Sequence, residues 1–281
     1  MLKGNSDATV QRAPVIVAER RAVLTDPSSA VRHFAGQVAI VTGAGRGMGR
    51  EIALTFARGG SSVAVVERDA SSAAEVVDTI RTAGSDAEGF VCDVADAVAV
   101  AETVRRIVER FARIDILVNN AGIAALTRPL EQISDHEWDA VLRVNLTGTF
   151  HFMRAVLPLM KAQRSGHIVN ISSSAGRSVS TFAGAHYTAS KAGVLGLTRH
   201  AAFEAAPYNV TVNAIAPGTI DTPLLRETVS EDRARAEAAK IPIGRLGTVA
   251  DIASLVAFLA SPASSYITGA TVDINGGDLI L

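Results

Sequence analysis

The sequence predicts an α/β fold, a single domain with one doubly wound parallel sheet of about seven strands and helices on both faces. Short, nearly continuous apolar segments alternate with stretches of helical length from residue 37 onward, as in sheets that are buried on both faces. A glycine-rich turn joins the first strand to the first helix. The 281 residues are enough for one such domain with a substantial core.

The strands are predicted at short runs rich in valine, isoleucine and alanine that are bounded by turn residues. They span 37–42, 62–66, 87–92, 116–119, 167–171, 210–215 and 271–274. The longer periodic stretches between them are predicted helices at 47–58, 71–83, 98–111, 134–160, 187–206 and 248–260. Ser134 with Glu137, and Thr248 with Asp251, form capping boxes that start two of these helices.

Composition restricts the class of partner and the compartment. Hydrophobic residues make up 48% and charged residues 20% of the chain, and the formal net charge is −1, so nothing favours nucleic acid or an anionic membrane surface. No apolar run approaches the roughly 20 residues of a transmembrane helix. The single cysteine, Cys92, fits a reducing, cytoplasmic location. The six histidines lack ligand spacing, so we expect no metal. Residues 1–35 are predicted to be an N-terminal extension of unknown role, preceding a domain at 36–281.

Tyr187 and Lys191 lie four residues apart, on one face of a predicted helix. A tyrosine with the usual pKa of about 10 is a poor acid or base at neutral pH, whereas a nearby ammonium group favours the phenolate. The spacing therefore predicts an acid/base group together with the positive charge that lowers its pKa.

Glycines line the turn after the first strand, at Gly43, Gly45, Gly47 and Gly49. This position, at the start of a βαβ unit, predicts a pyrophosphate site on the N-terminus of the following helix. Glu67 ends the second strand, where a carboxylate accepts hydrogen bonds from ribose hydroxyls and repels a 2′-phosphate. It favours NAD as the cofactor. Arg46 and Arg68 favour NADP, because a guanidinium can pair with that phosphate.

With these residues the chain resembles the classical short-chain dehydrogenase/reductase family, with its Rossmann fold, over about residues 34–279. The matching segments are the glycine loop, Asp93-Val94, Asn119-Asn120-Ala121-Gly122, Asn145, Ile171-Ser172-Ser173, the Tyr187/Lys191 pair and residues 217–222. The predicted cofactor-binding residues are Gly43, Arg46, Gly47, Met48, Gly49, Glu67, Arg68, Asp93, Val94, Asn119, Ala121, Gly122, Tyr187, Lys191, Pro217, Gly218, Ile220 and Thr222.

The resemblance implies a catalytic set of Asn145, Ser173, Tyr187 and Lys191. Tyr187 exchanges a proton with the substrate oxygen, Lys191 lowers the Tyr187 pKa and binds the nicotinamide ribose, and Asn145 holds a water. The serine that polarises the substrate carbonyl is assigned to Ser173 by its spacing to Gly176. The spacing to Tyr187 points to Ser174 instead, because the intervening loop is one residue longer than usual.

The implied activity is NAD(P)-dependent interconversion of a secondary alcohol and a ketone. The alternatives are an NADPH-dependent 3-oxoacyl-[acyl-carrier-protein] reductase, a catalytically silent cofactor-binding protein, and a non-redox relative such as a lyase or dehalogenase. Residues 219–246, with a polar stretch at 226–240, are predicted to form a substrate lid, with a plain solvated helix as the alternative. Ala175, Phe182 and Leu224 are predicted to contact substrate. His186, beside Tyr187, is predicted to face another side of the helix. Family members are usually tetramers, so we expect a homotetramer.

Overall fold

Seven parallel strands form one sheet in the order β3-β2-β1-β4-β5-β6-β7, which confirms the predicted fold class. The structure is a computed structural model, and it describes residues 33–124, 127–180 and 182–281, except for the side chains of Leu224 and Thr228. The predicted extension at 1–35 therefore lies almost entirely outside the described residues. The strands are β1 Val38–Thr42, β2 Ser62–Glu67, β3 Ala87–Val91, β4 Ile116–Asn119, β5 Gly166–Ile171, β6 Val210–Pro217 and β7 Thr271–Ile274.

Helices connect the strands and cover both faces of the sheet. They are α1 Gly47–Arg58, α2 Ala70–Thr82, α3 Ala97–Phe111, α4 Asp135–Leu142, α5 Gly148–Gln163, α6 Ala185–Ala205, α7 Pro223–Thr228, α8 Glu231–Ala238 and α9 Val249–Leu259. One core lies under α1, α2 and α9, and a second lies under α3, α5 and α6. In the described part of the chain, no helix combines the length and the apolar character needed to cross a bilayer.

The strand order reverses between β1 and β4, which are neighbours in the sheet. Connections from these two strands leave on opposite faces, so a crevice opens beyond their carboxyl ends. The turns after β1, β2 and β4 all reach this crevice. The topology therefore brings together residues 43–49, 67–68 and 120–123.

Two predicted helical stretches differ from the structure in detail. The predicted helix at 134–160 is interrupted by a π-helical turn, Arg143–Thr147, between α4 and α5. The polar stretch predicted at 226–240 folds into parts of two short helices, α7 and α8, and α8 buries none of its residues. Thr248 and Asp251 do form the predicted capping box, at the start of α9.

Candidate functional site

Steric fit fixes the shape of the glycine loop between β1 and α1. Gly43 and Gly47 have positive φ values of 62° and 56°, a conformation that side chains disfavour. A Cβ on Gly49 would lie 2.1 Å from the Gly43 carbonyl oxygen, and a Cβ on Gly45 would lie 2.7 Å from the Ser72 side chain. The backbone therefore approaches itself closely, and the N-terminus of α1 opens onto the crevice.

Asn120 holds this loop in place from the end of β4. Its Nδ2 donates to the carbonyl oxygens of Thr42 at 2.9 Å and Gly43 at 3.0 Å. The backbone N–H groups of Asn120 and Ala121 donate in turn to the Thr42 hydroxyl. The structure does not place the preceding Asn119, a predicted cofactor ligand, in the crevice. Asn119 is buried in the sheet, where its amide donates to Asn170 Oδ1 at 2.8 Å.

A cavity of about 250 Å³ occupies the crevice. Its lining contains twelve of the predicted cofactor residues, namely Gly43, Arg46, Gly47, Met48, Gly49, Glu67, Arg68, Asp93, Val94, Ala121, Gly122 and Thr222. The glycine cradle and the free N-terminus of α1 fit the pyrophosphate of a dinucleotide. The residues present thus suit the cofactor that the sequence predicts.

Glu67 and Arg46 have partners that bear on cofactor choice. Glu67 accepts the backbone N–H of Gly45 at 3.1 Å and that of Arg68 at 2.8 Å, so its carboxylate is held at the edge of the cavity. Arg46 forms an ion pair with Glu227 of α7 at 3.4 Å. The cavity edge thus carries a fixed carboxylate, Glu67, and an arginine, Arg46, that is paired with an acidic residue.

Tyr187, Lys191 and Ser173 come together at the carboxyl end of β5. The Ser173 side chain lies close enough to the Tyr187 phenol to lower its pKa, whereas Ser174 begins the 3₁₀ turn that follows. Lys191 is buried, its Nζ lies 5.7 Å from the centre of the Tyr187 ring, and it donates to the Ile171 carbonyl at 2.8 Å. This arrangement joins a phenol, a hydroxyl donor and an ammonium group.

The direction of the Tyr187 pKa shift differs from the sequence prediction. Burial raises the pKa of Tyr187, and the hydrogen bond from Ser173 opposes that rise. Burial also lowers the pKa of Lys191 to about 8. The four-residue spacing reflects only the attraction between the two groups, whereas desolvation in the folded protein disfavours the charged form of each.

Asn145 lies in the π-helical turn Arg143–Thr147, which contacts α6, the helix of Lys191. Its side chain accepts the N–H of Ile123 at 2.8 Å and donates to the Ile123 carbonyl at 2.9 Å and to Ser190 Oγ at 3.1 Å. A Cβ on Gly122 would lie 3.3 Å from Asn145 Oδ1 and 3.5 Å from Lys191 Nζ. Gly122 therefore connects the cofactor cavity with both polar groups. The π turn is the local irregularity that turns Asn145 inward.

The segment predicted as a lid is attached at a short parallel bridge between Ile220 and Gly247. The Asp221 N–H donates to the Gly247 carbonyl, and the Gly247 N–H donates to the Thr219 carbonyl. Thr222 then caps α7 and reaches the cavity. Thr222 is one of four predicted cofactor residues at 217–222, and the other three do not line that cavity. Pro217 and Gly218 lie at the end of β6, and Ile220 lines a second cavity.

The predicted substrate contacts are only partly described. Ala175 is buried, and its N–H donates to Ser173 Oγ at 3.1 Å. Phe182 is half-buried, with the Arg233 guanidinium of α8 5.1 Å from its ring centre. The side chain of Leu224 lies outside the described residues. Ala175 therefore contacts Ser173, and Phe182, in the loop before α6, contacts the predicted lid.

Several residues at the cavity were missed by the sequence argument. They are Val66, Cys92, Asn120, Ile123, Val144 and Pro223. The amide of Asn120 was recoverable, because the residue after a parallel strand points to the ligand edge of the sheet. The apolar residues carry no signal that separates a cavity wall from a core. Within the described residues, no cluster of three or more His, Cys, Asp and Glu is arranged to hold a metal ion.

Fold and site together define a dinucleotide-binding oxidoreductase class. A family model described as Enoyl-(Acyl carrier protein) reductase matches residues 43–278. The short-chain reductase protein NovJ of Streptomyces niveus is 44% identical over 263 residues, which are 90% of this chain and 99% of that protein.

Further relatives extend this similarity to named activities. The 3-oxoacyl-[acyl-carrier-protein] reductase FabG of Staphylococcus aureus is 43% identical over 240 residues, which are 85% of this chain and 96% of FabG. The solved structure of NAD⁺-bound xylitol dehydrogenase is 34% identical, with a TM-score of 0.83 and coverage of 87% of this chain and 99% of that one. The chain belongs to the short-chain dehydrogenase/reductase family and is an oxidoreductase.

Proposed function

We propose that the protein is an NAD-dependent oxidoreductase that interconverts a secondary alcohol and a ketone, with Tyr187 as the general acid/base. The observation that carries this proposal is the contact between Ser173 and Tyr187, beside the buried Lys191 and next to a cavity that fits a dinucleotide. A bound nicotinamide cofactor supplies the hydride acceptor or donor.

The catalytic roles follow from the chemistry of each side chain. Ser173 has one hydroxyl proton, which it donates to the substrate oxygen, where it stabilises developing negative charge. Without substrate, the same proton is available to the Tyr187 oxygen. Tyr187 takes the alcohol proton during oxidation and returns a proton to the oxygen during reduction. The protonated, positively charged form of Lys191 stabilises the Tyr187 phenolate. Its low pKa, about 8, also makes it a donor that can release a proton near neutral pH.

Asn145 is proposed to steer the proton between Lys191 and solvent. The space left by Gly122 adjoins both Asn145 Oδ1 and Lys191 Nζ, and a water there has polar partners on two sides. The buried amide is fixed by its bonds to Ile123 and Ser190, so its position needs no reorganisation during the reaction.

NAD is the proposed cofactor, in preference to NADP. The Glu67 carboxylate is held by Gly45 and Arg68 at the position of the adenosine ribose, where it would repel a 2′-phosphate. The exposed ion pair with Glu227 reduces slightly the attraction that Arg46 would offer to that phosphate. The similarity to an NAD⁺-bound dehydrogenase agrees with this choice.

The second candidate is reduction of a 3-oxoacyl thioester on a carrier protein with NADPH. It is favoured by the 43% identity to FabG. An acidic carrier favours unpaired basic residues near the site, but Arg226, Arg235, Lys240 and Arg245 each pair with an acidic neighbour. Of the basic residues in this stretch, this leaves Arg233, over the Phe182 ring, without an ion pair among the described residues. A small uncharged alcohol or ketone is therefore the preferred substrate class. A silent cofactor-binding protein has no need of the Ser173–Tyr187 contact.

We also propose that the enzyme is a cytoplasmic homotetramer. Phe150 of α5 and Phe203 of α6 are exposed, as are the small residues Ala189 and Ala192 of α6. An apolar face of this kind is typical of contacts between subunits. Light scattering is expected to give four times the chain mass of 29.2 kDa.

The test is the variant Tyr187→Phe in a screen of secondary alcohols and ketones with both cofactors. Removal of the acid/base group is expected to lower kcat by about 10²- to 10⁴-fold, with NADH affinity within about twofold because the hydroxyl is the only group removed. Wild-type turnover that persists in this variant would contradict the role of Tyr187. NADH binding without turnover of any carbonyl compound would favour the silent cofactor-binding protein.

A further inference from the structure

His186 is fully buried directly before Tyr187. The sequence argument expected it to face away from the substrate, and the structure turns its ring towards α4. The imidazole Nδ1 lies 2.8 Å from the Tyr187 backbone nitrogen and accepts its N–H. The Nε2 lies 3.3 Å from Glu137 Oε1 of α4. Because Nδ1 accepts a hydrogen bond, the ring proton is on Nε2 and is donated to Glu137.

The first turn of α6 lacks the usual cap. Its N-cap residue is Gly184, which has no side chain to accept the free N–H groups of the turn. The Tyr187 N–H, third in the helix, has the Gly184 carbonyl at 3.1 Å and the His186 ring nitrogen at the shorter distance. The imidazole therefore provides the acceptor that a serine or aspartate cap provides in other helices.

Packing locks the ring in this position. A Cβ on Gly184 would lie 2.7 Å from His186 Cε1 and 3.4 Å from the Ile133 side chain, so only glycine leaves room for the ring. Glu137 is mostly buried and also pairs with Arg128 at 3.6 Å. Among the described residues, Glu137 is the charged group that contacts the ring, and Arg128 contacts Glu137 from the segment after β4.

We propose that His186 and Glu137 are positioning residues that fix the first turn of α6 and so hold the Tyr187 hydroxyl against Ser173. Neither side chain lines the cofactor cavity, so both act through the backbone of Tyr187. The expected loss of catalytic rate rests on the proposed function. The expected loosening of the first turn of α6 is independent of that function.

The experiment compares four variants of the full chain. His186→Leu keeps an apolar side chain of similar size and removes both ring nitrogens. His186→Asn places its Oδ1 where Nδ1 was, and so keeps an acceptor for the Tyr187 N–H. Glu137→Leu removes the partner of Nε2 and serves if the His186→Leu protein does not fold. His200→Leu is the matched control, because His200 lies on the same helix in an exposed pair with Glu204.

Kinetics supply the first readout. His186→Leu is expected to lower kcat about 10- to 100-fold, because small misplacements of a catalytic group are costly, with the KM for NAD within about twofold. His186→Asn is expected to restore kcat to within about threefold of wild type. Unchanged kcat in His186→Leu, an equal loss in His200→Leu, or no rescue by His186→Asn would each overturn the proposal.

Amide NMR supplies a readout that needs no turnover. The chain has three tyrosines, so labelling with ¹⁵N-tyrosine gives three backbone signals, and Tyr187→Phe identifies the relevant one. We expect the Tyr187 amide to exchange with solvent about tenfold faster in His186→Leu and at the wild-type rate in His186→Asn. Unaltered exchange in His186→Leu would overturn the inference. A faster exchange in a protein that turns over no substrate would support the inference and contradict the proposed function.

Discussion

The glycine loop and the lid meet at the same crevice but are held by different forces. A Cβ on Gly47 would lie 3.9 Å from Pro223, the first residue of α7. The loop on one side is fixed by backbone contacts too close for any side chain, and by the amide of Asn120. The lid on the other side includes α8, which buries nothing. The glycine loop is thus fixed by close packing, whereas the predicted lid combines two buried residues, Ile220 and Ile241, with the exposed helix α8.

An exposed charged pair connects the lid to the glycine loop, and others lie within the lid itself. Arg46 with Glu227, Arg235 with Asp232 and Lys240 with Glu237 each have at least one strongly exposed partner. Exposed pairs contribute about 0 to 1 kcal/mol each and weaken with salt. Segments with few buried contacts open at low free energy. This difference divides the crevice into a glycine loop that is fixed by close packing and a predicted lid that carries weak, exposed charged pairs.

The largest effect is expected from Gly49→Ala in the loop. The new Cβ would lie 2.1 Å from the Gly43 carbonyl oxygen, and the backbone must shift, at a cost of about 2 to 4 kcal/mol in unfolding free energy. Denaturant unfolding and NADH titration measure the loss of stability and of binding. Gly89→Ala in β3 is the control, because its Cβ would meet only ordinary contacts at 3.6 Å. Equal stabilities of the two variants would show that steric fit does not set the loop.

The second largest effect is expected in the pH dependence of stability, which distinguishes the buried ammonium group of Lys191 from an exposed one. Burial lowers the pKa of Lys191 to about 8 from 10.5, so between these values the unfolded chain binds the proton and the folded chain does not. Stability attributable to Lys191 therefore rises with pH, by about 2 kcal/mol from pH 8 to pH 10. The unfolding free energies of wild type and Lys191→Met are measured across this range.

The unfolding free energy of the wild type should increase relative to that of Lys191→Met as the pH rises. Lys240→Met is the control on the lid side, because Lys240 is exposed and paired with Glu237, and its curve should run parallel to that of wild type. Parallel curves for Lys191→Met would mean that the buried ammonium does not titrate in this range.

The two regions also differ in how far the sequence determines them. The glycine spacing and the strand pattern predicted the loop and the crevice, because tight turns and buried strands leave few residue choices. The sequence does not indicate that Glu227 pairs with Arg46, since exposed charged side chains acquire their partners only in the folded chain. The sequence does not indicate the direction of the Tyr187 pKa shift either. The four-residue spacing predicted the neighbour, Lys191, but desolvation depends on everything packed around the ring.

The third effect concerns the carboxylate on the loop side. Glu67→Ala removes the group proposed to bind the ribose hydroxyls and to repel a 2′-phosphate, and the ratio of kcat/KM for NAD over NADP is expected to fall about tenfold. Glu67→Gln should give an intermediate ratio, because it keeps an acceptor and loses the charge. An unchanged ratio in both variants would show that Glu67 does not discriminate between the cofactors.

The smallest effect is expected on the lid side, from Glu227→Gln. Arg46 lies 3.4 Å from Glu227, and both side chains are about 60% exposed, so the pair is weak and screened. Its loss frees Arg46 to attract a 2′-phosphate, and kcat/KM for NADP should rise about two- to threefold, an effect that disappears at about 1 M salt because screening then acts within about 3 Å. Asp232→Asn, which breaks another exposed lid pair distant from Arg46 in sequence, should leave the cofactor ratio unchanged. An equal rise in both variants would mean that any loosening of the lid alters cofactor choice. The division between a closely packed glycine loop that selects the cofactor and a weakly held lid would then be wrong.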